Sequence, residues 1–434
     1  MKAKTRIALL ISAFFLPFAA GAQLVVNGEF RPRAEYRHGF KAPAGEDMDA
    51  AFLITQRSRL NMGFTDGKVK TGLSIQDIRI WGDTPQLNTS DLNLSVHEAW
   101  AEYSFTPQLS LKAGRMELVY DDARILGNVD WAQQGRSHDI ALLKYEGNFK
   151  IHAGFAFNQN EDKLSSTIYT MAGNYKTMQL LWANKKWENL NLSLLFMNTG
   201  KQSILMETEG IKETNTHFAQ TFGATATYLA NPLTFNASIY KQSGEEVTSL
   251  YAPGIALDAI MAAFSVRWAV NGTFSLTPGF EYLSGTSQFD ASAHDFNKIR
   301  SFNPLFGTNH KFNGSMDYFY VGNHINSVGL QDLYLKANYA RDRFSGGADL
   351  HFFSAAADLI SSTNAVEKGD KNLGQELDLY IGYKLASNVT LTAGYSQYFT
   401  TESIVNLRGG SNDATSNWAW ISLTFKPQFL NTGK

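Results

Sequence analysis

The sequence predicts one all-β domain, a transmembrane antiparallel β-barrel of about 18 strands with short periplasmic turns and long extracellular loops. Three observations lead to this fold class. Apolar and polar residues alternate with the period of a β-strand, and the connections between alternating segments are short and long in turn. No apolar segment after the first residues is long enough for a membrane-spanning helix. An even number of strands closes such a sheet and removes its unpaired edges.

The first residues predict a signal peptide over residues 1–22, followed by a single outer-membrane barrel domain over residues 23–434. Basic residues at positions 2–6 precede an apolar core at 7–18 and a cleavage site of small residues. An N-terminal anchor is the weaker alternative, because the apolar stretch is too short to span a bilayer comfortably. We therefore expect the protein in the outer membrane of a Gram-negative bacterium.

The composition excludes several classes of protein. The chain contains no cysteine, which removes disulfides, thiolate metal sites and cysteine catalysis together. Its formal net charge of −2 argues against nucleic acid as a partner. Aromatic residues make up 13% of the chain, 35 residues are glycine, and no linker composition divides it. These features favour one large β domain over several soluble ones.

Eighteen segments carry the strand alternation. In residues 233–240 the odd positions are apolar and the even ones are mostly small and polar, and in residues 273–282 the parity is reversed. About ten residues per segment suffice for a tilted strand to cross a bilayer. The predicted strands are 24–38, 51–64, 68–81, 94–105, 108–116, 138–146, 148–158, 172–184, 188–198, 215–230, 232–243, 256–270, 272–283, 325–340, 343–354, 373–386, 388–399 and 414–426.

The connections between these segments alternate in length. The short ones contain turn residues such as Asp66-Gly67, Asn271-Gly272 and Ser387-Asn388. The long ones are 39–50, 82–93, 117–137, 159–171, 199–214, 244–255, 284–324, 355–372 and 400–413. This sorting places both termini on the periplasmic side. The last strand should carry the signal for the barrel-assembly machinery, which here lies a few residues before the end of the sequence.

Residues 29–37 predict a strand with one fully charged face. Its odd positions are Glu29, Arg31, Arg33, Glu35 and Arg37, and its even positions are uncharged. A face so densely charged suggests a water-filled lumen on one side of the strand and lipid on the other. Neighbouring strands extend this wall with Arg57, Arg59, Arg79, Asp77, Glu98 and Glu102. Later strands bring a thinner acidic set to the lumen, namely Glu281, Asp332, Asp349, Glu376 and Asp378.

A row of guanidinium groups in a pore lowers the barrier to an anionic solute, because arginine stays charged and offers two parallel donors to a carboxylate. The alternative is that the arginines pair with neighbouring acids and stiffen the barrel. The segment after the fifth strand breaks the alternation and adds Arg115, Arg124 and Arg136 to the candidate lining residues. We expect residues 117–137 to fold into the pore or over its mouth, and an ordinary surface loop is the alternative.

Several segments together resemble the alginate-export family of outer-membrane porins. They are residues 29–37, 56–59, 114–115, 121–124, 131–139, 302–312, 316–319, 373–378 and 393–396, of which Gly307-Thr308-Asn309-His310-Lys311 is the most specific. The resemblance spans nearly the whole mature chain. It implies a monomeric barrel of eighteen strands with an electropositive constriction that passes an acidic polysaccharide.

The sequence thus favours a channel for small or oligomeric hydrophilic solutes, chiefly anionic saccharides, embedded in outer-membrane lipid. A general diffusion porin without dedicated cargo is the second hypothesis, and an outer-membrane hydrolase is the third. Ser137, His138 and Asp139 would make a poor catalytic triad, because neighbours on a strand point to opposite faces. We therefore expect neither an enzyme nor a cofactor.

A divalent cation bound by loop residues is the remaining alternative for a cofactor. Its ligands would come from Asp121, Asp122, Asp317, His310 and His324. Neither the spacing of an EF-hand nor an HExxH pattern supports such a site.

Overall fold

Eighteen strands close into one antiparallel barrel in the computed structural model, which describes residues 22–88, 90, 93–171, 173–207, 210–289, 297–308, 310–325 and 327–433. Each barrel strand pairs with its neighbours in sequence, and the last one closes the sheet by pairing with the first. All but the final residue of the predicted signal peptide lies outside the described residues.

The strands are numbered in chain order. They are β1 Gln23–His38, β2 Ala51–Asp66, β3 Val69–Ile80, β4 Leu94–Ser104, β5 Leu109–Met116, β6 His138–Glu146, β7 Lys150–Phe157, β8 Thr177–Lys186, β9 Leu190–Glu207, β10 Gly210–Ala230, β11 Leu233–Glu246, β12 Ile255–Ala269, β13 Phe274–Leu283, β14 Lys298–Ile299, β15 Leu330–Arg341, β16 Phe344–Ser354, β17 Asn372–Ala386, β18 Val389–Phe399, β19 Ser416–Phe425 and β20 Gln428–Asn431. The two-residue β14 lies inside a loop, and β20 continues β19.

Helical structure is sparse. A 3-10 helix covers Val321–Asn323, and the α-helix α1, Glu402–Arg408, begins after Thr401, whose side chain accepts a hydrogen bond from the backbone N–H of Ile404. Among the residues that the structure describes, no helix is long and apolar enough to cross a membrane.

The register of β1 and β2 shows why the alternation produces a two-faced wall. Glu29 lies opposite Arg59 and Arg31 lies opposite Arg57, so these charged residues share the inner face. Arg57 is fully buried inside the barrel, whereas Phe30 on the outer face is 39% exposed. The charged face is therefore enclosed and the apolar face is left for lipid.

The eighteen predicted segments all overlap barrel strands, but several of their ends are corrected. Residues 199–207 and 210–214 are strand and not loop, since β9 and β10 continue their pairing up to Glu207 and Gly210. Many residues of this stretch are polar, and the continued ladder satisfies the backbone groups of its paired residues. The last strand also extends past the predicted end, with a break at Pro427, which has no N–H to donate to the ladder.

Two of the long loops fold into the barrel and build its core. Loop L3 comprises residues 117–137, and loop L7 comprises residues 284–329, five residues longer than predicted. Apolar side chains of both loops are buried inside the barrel, among them Leu118, Ile125, Leu126, Phe302, Met316 and Tyr318. The expectation that L3 enters the pore is confirmed, and L7 joins it there.

Candidate functional site

A basic wall formed by β1 and β2 faces the lumen. Its arginines are Arg31, Arg33, Arg37, Arg57 and Arg59. Alternation places all five on the inner face of two paired strands, as the sequence predicted. The site residues that lie on this wall therefore converge on one side of the lumen.

Carboxylates accompany these arginines closely. The side chain of Glu35 accepts hydrogen bonds from Arg33 Nε at 2.9 Å and from Arg37 Nη2 at 2.8 Å. Glu29 Oε1 accepts one from Arg57 Nη2 at 2.5 Å. Arg59 donates to Gln76 Oε1 at 2.6 Å and lies 3.7 Å from Glu117. The pairing that the sequence left open is thus present at every arginine of the basic wall.

Loop L3 reaches the basic wall through Asp130 and Trp131. Asp130 Oδ1 accepts a hydrogen bond from Arg57 at 2.7 Å, and its carbonyl accepts one from Arg31 at 2.7 Å. Arg33 donates to the Trp131 carbonyl at 2.7 Å, and its guanidinium lies 4.0 Å from the centre of the Trp131 ring. Burial alone would raise the pKa of Asp130, but the hydrogen bond and charge of Arg57 outweigh it and lower that pKa.

An acidic wall lies on the strands that follow β12. It consists of Glu281 on β13, Asp332 on β15, Asp349 on β16, and Glu376 and Asp378 on β17. The registers place Glu281 opposite Asp332, and Asp349 opposite Asp378, so that these acids share the inner face. This separation of a basic and an acidic wall agrees with the sequence prediction.

Arg124 of L3 is buried against the acidic wall. Its Nη2 forms an ion pair with Glu281 and donates to Asn313 Oδ1 of L7 at 3.0 Å. Its guanidinium also lies 4.4 Å from the centre of the Phe312 ring. Burial lowers the pKa of Arg124 to about 10, so the group remains charged at neutral pH. L3 therefore crosses the lumen with an acid on the basic wall and a base on the acidic one.

L3 and L7 are joined by backbone hydrogen bonds in the middle of the barrel. Gly127 N donates to Phe306 O at 2.9 Å, and Thr308 N donates to Ala123 O at 2.9 Å. A β-carbon at Gly307 would lie 2.2 Å from the carbonyl oxygen of Arg124, so only glycine permits this approach. The Gly-Thr pair of the most specific sequence motif thus holds the joint between the two loops.

L7 is fixed to the acidic wall by its own backbone. Met316 N donates to Glu376 Oε1 at 2.6 Å, and Ser315 N donates to Asp378 Oδ2 at 3.3 Å. Buried carboxylates with these donors anchor the loop rather than stand free in the lumen. Glu376 and Asp378 of the acidic wall therefore hold L7 in place.

The candidate cation ligands do not converge. His310 Nδ1 lies 3.2 Å from Asp317 Oδ1, while its ring stacks on Trp131 at 4.2 Å. His324 is buried and bonds to the carbonyl of Phe319 at 3.1 Å. In the described part of the chain, no group of three or more acidic or histidine side chains could hold a metal ion.

Two of the predicted lining arginines lie on the outer face. Arg79 is opposite Gln56, which shares its face with Pro32, and it pairs with Asp77. Arg115 is opposite Asp139 and pairs with it at 2.8 Å. The prediction is corrected for Arg79, because one step in strand parity moves a side chain from lumen to outside. Arg115 has the same outward parity but stands near the end of its strand, where it also lines the cavity described below.

Glu98 and Glu102 of β4 do face the lumen. Glu98 Oε1 accepts a hydrogen bond from the backbone N–H of Glu117 at 3.0 Å and so fixes the start of L3. Glu102 accepts one from Ser110 at 2.6 Å and one from Lys144 at 3.2 Å. Both acids therefore already have hydrogen-bond partners within the protein.

A cavity of about 580 Å³ opens on the long-loop side of the barrel, above the joint of L3 and L7. Arg136, at the end of L3, lies in its wall and donates to the carbonyl of Gly307 at 2.7 Å. The rest of the wall comes from loops and strand ends far apart in sequence, including Tyr169, Tyr175, Lys201 and Tyr320. These four lining residues could not be predicted from the sequence, since only tertiary packing of the loops brings them together.

Comparison with known proteins gives one family and one fold. Residues 22–417 match the model of a family described as alginate export. No curated protein matches the chain. Among solved structures, OpdQ of Pseudomonas aeruginosa is 13% identical with a TM-score of 0.57, and OccAB2 of Acinetobacter baumannii is 13% identical with a TM-score of 0.58. P. aeruginosa OccK2 (OpdF), in complex with glucuronate, is 13% identical with a TM-score of 0.59. Each alignment covers 94% of this chain and 98% of the other.

Proposed function

Since the chain belongs to the alginate export family of outer-membrane channels, we propose that it passes small or oligomeric anionic saccharides through the lumen of its barrel. The protein is an outer-membrane solute channel of a Gram-negative bacterium and is not an enzyme. The choice of anionic saccharides as cargo is the part that we propose.

The observation that carries this proposal is the charge balance of the basic wall. Among the described residues, its five guanidinium groups lie within 4.0 Å of four carboxylates, those of Glu29, Glu35, Glu117 and Asp130. The wall therefore keeps a surplus of positive charge beside the path of a solute. Arginine remains protonated there and binds carboxylates through two parallel N–H groups, which favours an acidic sugar over a neutral one.

The complex of OccK2 with glucuronate supports the same chemistry in a barrel of similar fold. Glucuronate is a sugar that carries a carboxylate. A likeness of 13% identity indicates the fold and not the residues of a binding site, so the lining residues of this chain need their own test.

A general diffusion porin is the competing function, and the pairing of the arginines favours it. In such a porin the arginines of the basic wall would serve the ion pairs of the wall and would discriminate little between solutes. The two functions differ in their response to saccharides of equal length and different charge.

Current through single channels in a planar bilayer tests the proposal. We expect a uronate trisaccharide to block the current at a lower concentration than a neutral trisaccharide of the same length, because the surplus charge stabilises the bound anion. Equal blocking concentrations would instead identify a general porin. A protein that conducts no ions would contradict both functions.

We further propose that the mature protein is a monomeric barrel of residues 23–434 surrounded by outer-membrane lipid, inserted by the barrel-assembly machinery after removal of residues 1–22. The outer face supports contact with lipid, because Phe155, Leu181 and Phe222 are about half exposed there.

A further inference from the structure

Arg136 differs from the other arginines that the sequence marked as candidate lining residues. Eight of these nine have a carboxylate oxygen within 4.0 Å, on the lumen side or on the outer face. Among the described residues, no acidic side chain lies that close to Arg136. Its positive charge is thus left without a counterion from the described part of the chain.

The position of Arg136 is fixed nevertheless. Its backbone N–H donates to the carbonyl of Asn128 at 2.7 Å, and its Nη1 donates to the carbonyl of Gly307 at 2.7 Å. A guanidinium carries five N–H groups, so donors remain for a ligand. Burial lowers the pKa of Arg136 to about 10, which still leaves the group charged at neutral pH. A held cation with spare donors is suited to bind an anion.

The cavity beside Arg136 has the size and chemistry of a ligand site. Its volume of about 580 Å³ lies within the range of roughly 300–1,000 Å³ that small-molecule sites occupy. Tyr169, Tyr175, Phe306 and Tyr320 contribute aromatic rings to its wall. Lys201 adds a second cation, although Glu246 neutralises it at 2.6 Å, and Arg115 and Asp139 of the same wall pair with each other at 2.8 Å. Aromatic rings beside one unpaired guanidinium suit a ring-shaped solute that carries a carboxylate.

We propose that this cavity is a carboxylate-binding subsite at the extracellular end of the channel, where Arg136 binds the acid group of a sugar and the tyrosines pack against its ring. The subsite rests on the proposed function and sharpens it. It places the first recognition of the solute on the loops, above the basic wall of β1 and β2.

Substitution of Arg136 tests the subsite. The variant Arg136→Gln removes the charge, and Arg136→Lys keeps the charge but loses the paired N–H geometry. The matched control is Arg341→Gln, which alters an exposed arginine on a short turn at the opposite end of the barrel. The measurement is the concentration of uronate trisaccharide, added on the side of the long loops, that halves the single-channel current.

We expect Arg136→Gln to raise this concentration at least tenfold, Arg136→Lys to raise it less, and Arg341→Gln to leave it unchanged. Block by a neutral trisaccharide should be the same in all four proteins. If both Arg136 variants are blocked like the wild type, the subsite is wrong while the proposed function stands. If the wild type itself shows no preference for uronate, the proposed function fails and the subsite with it. Arg136→Lys keeps a donor for Gly307, so it supplies the answer even where Arg136→Gln folds poorly.

Discussion

Individual arginines in this barrel are held in very different surroundings, and the surroundings decide what each one contributes. Arg57 is fully buried between Glu29 and Asp130, whereas Arg115 and its partner Asp139 are both about half exposed on the outer face. Breaking a buried ion pair leaves an uncompensated charge away from water, while an exposed pair contributes little.

We predict that Arg57→Gln lowers the free energy of unfolding by about 3–5 kcal/mol, because it leaves the buried carboxylate of Glu29 without its closest partner. The control Arg115→Gln should change it by less than about 1 kcal/mol. Denaturant unfolding of the detergent-solubilised barrel, followed by loss of its heat-resistant electrophoretic mobility, measures both. Equal effects of the two substitutions would mean that the basic wall is solvated rather than packed.

The sequence predicts which face of the barrel a residue occupies only where the alternation along its strand can be read. Arg31, Arg33, Arg57 and Arg59 lie on the lumen face as alternation predicts, because their strands are long and regular. Arg79 was misplaced because the inward positions of β3 are those of Ser74 and Gln76, which the sequence does not mark as a lumen face. The pairs Arg33–Glu35 and Arg37–Glu35 follow from neighbouring positions on one face of a strand, whereas the contacts of Arg57 with L3 and the exception of Arg136 depend on tertiary packing.

At the scale of elements, two ion pairs hold loop L3 across the lumen. L3 supplies the acid in one pair and the base in the other. Asp130 binds the basic wall and Arg124 binds the acidic wall, and the joint with L7 at Leu126 lies between these two contacts. This arrangement holds the loop where it restricts the path of a solute.

We predict that the double variant Asp130→Asn, Arg124→Gln has a larger single-channel conductance than the wild type, because L3 loses both contacts and samples positions away from the lumen centre. The exposed Asp162→Asn in another long loop serves as a control and should conduct like the wild type. An unchanged conductance in the double variant would mean that the hydrophobic core of L3 and L7 alone fixes the loop.

The same contact predicts a dependence on pH. The pKa of Asp130 is lowered in the folded protein, so its contact with Arg57 is fully present above the ordinary pKa of aspartate and is lost as the pH falls through the lowered pKa. We expect the conductance of the wild type to rise in that acidic range. The Asp130→Asn channel should lack this rise, and a rise of the same size in the variant would assign the effect to another group.

The strands could be predicted from local sequence patterns, whereas the contacts between loops and strands could not. Alternation located all eighteen strands because each strand must present one face to lipid and one to the interior. The inward fold of L7 and its hydrogen bonds to Glu376 and Asp378 involve residues 60 or more positions apart. Such contacts leave no periodic signal, and the extension of β9 and β10 was missed because polar strand residues resemble loop residues.

For the whole molecule, the separation of a basic wall from an acidic one should govern selectivity. We predict that replacing Arg31, Arg33, Arg57 and Arg59 together by alanine moves the reversal potential in a salt gradient toward that of a cation-selective channel, because Glu29 and Glu35 remain in the wall. Arg79 on the outer face and the exposed Arg341 provide the control, since their replacement by alanine should leave the reversal potential unchanged.

An unaltered reversal potential in the fourfold variant would exclude the basic wall from the path of ions. A shift of equal size in the Arg79 and Arg341 control would show that the effect comes from the net charge of the protein and not from the lumen.

The most direct test of the account is the passage of saccharides, because block of a current reports binding while flux reports transport. Proteoliposomes that contain the purified channel can be exposed to a uronate trisaccharide or to a neutral trisaccharide of equal length, and the rate of entry of each measured. A channel for anionic saccharides should admit the uronate faster in the wild type and lose that advantage in Arg136→Gln. Equal rates for the two saccharides in the wild type would contradict this function.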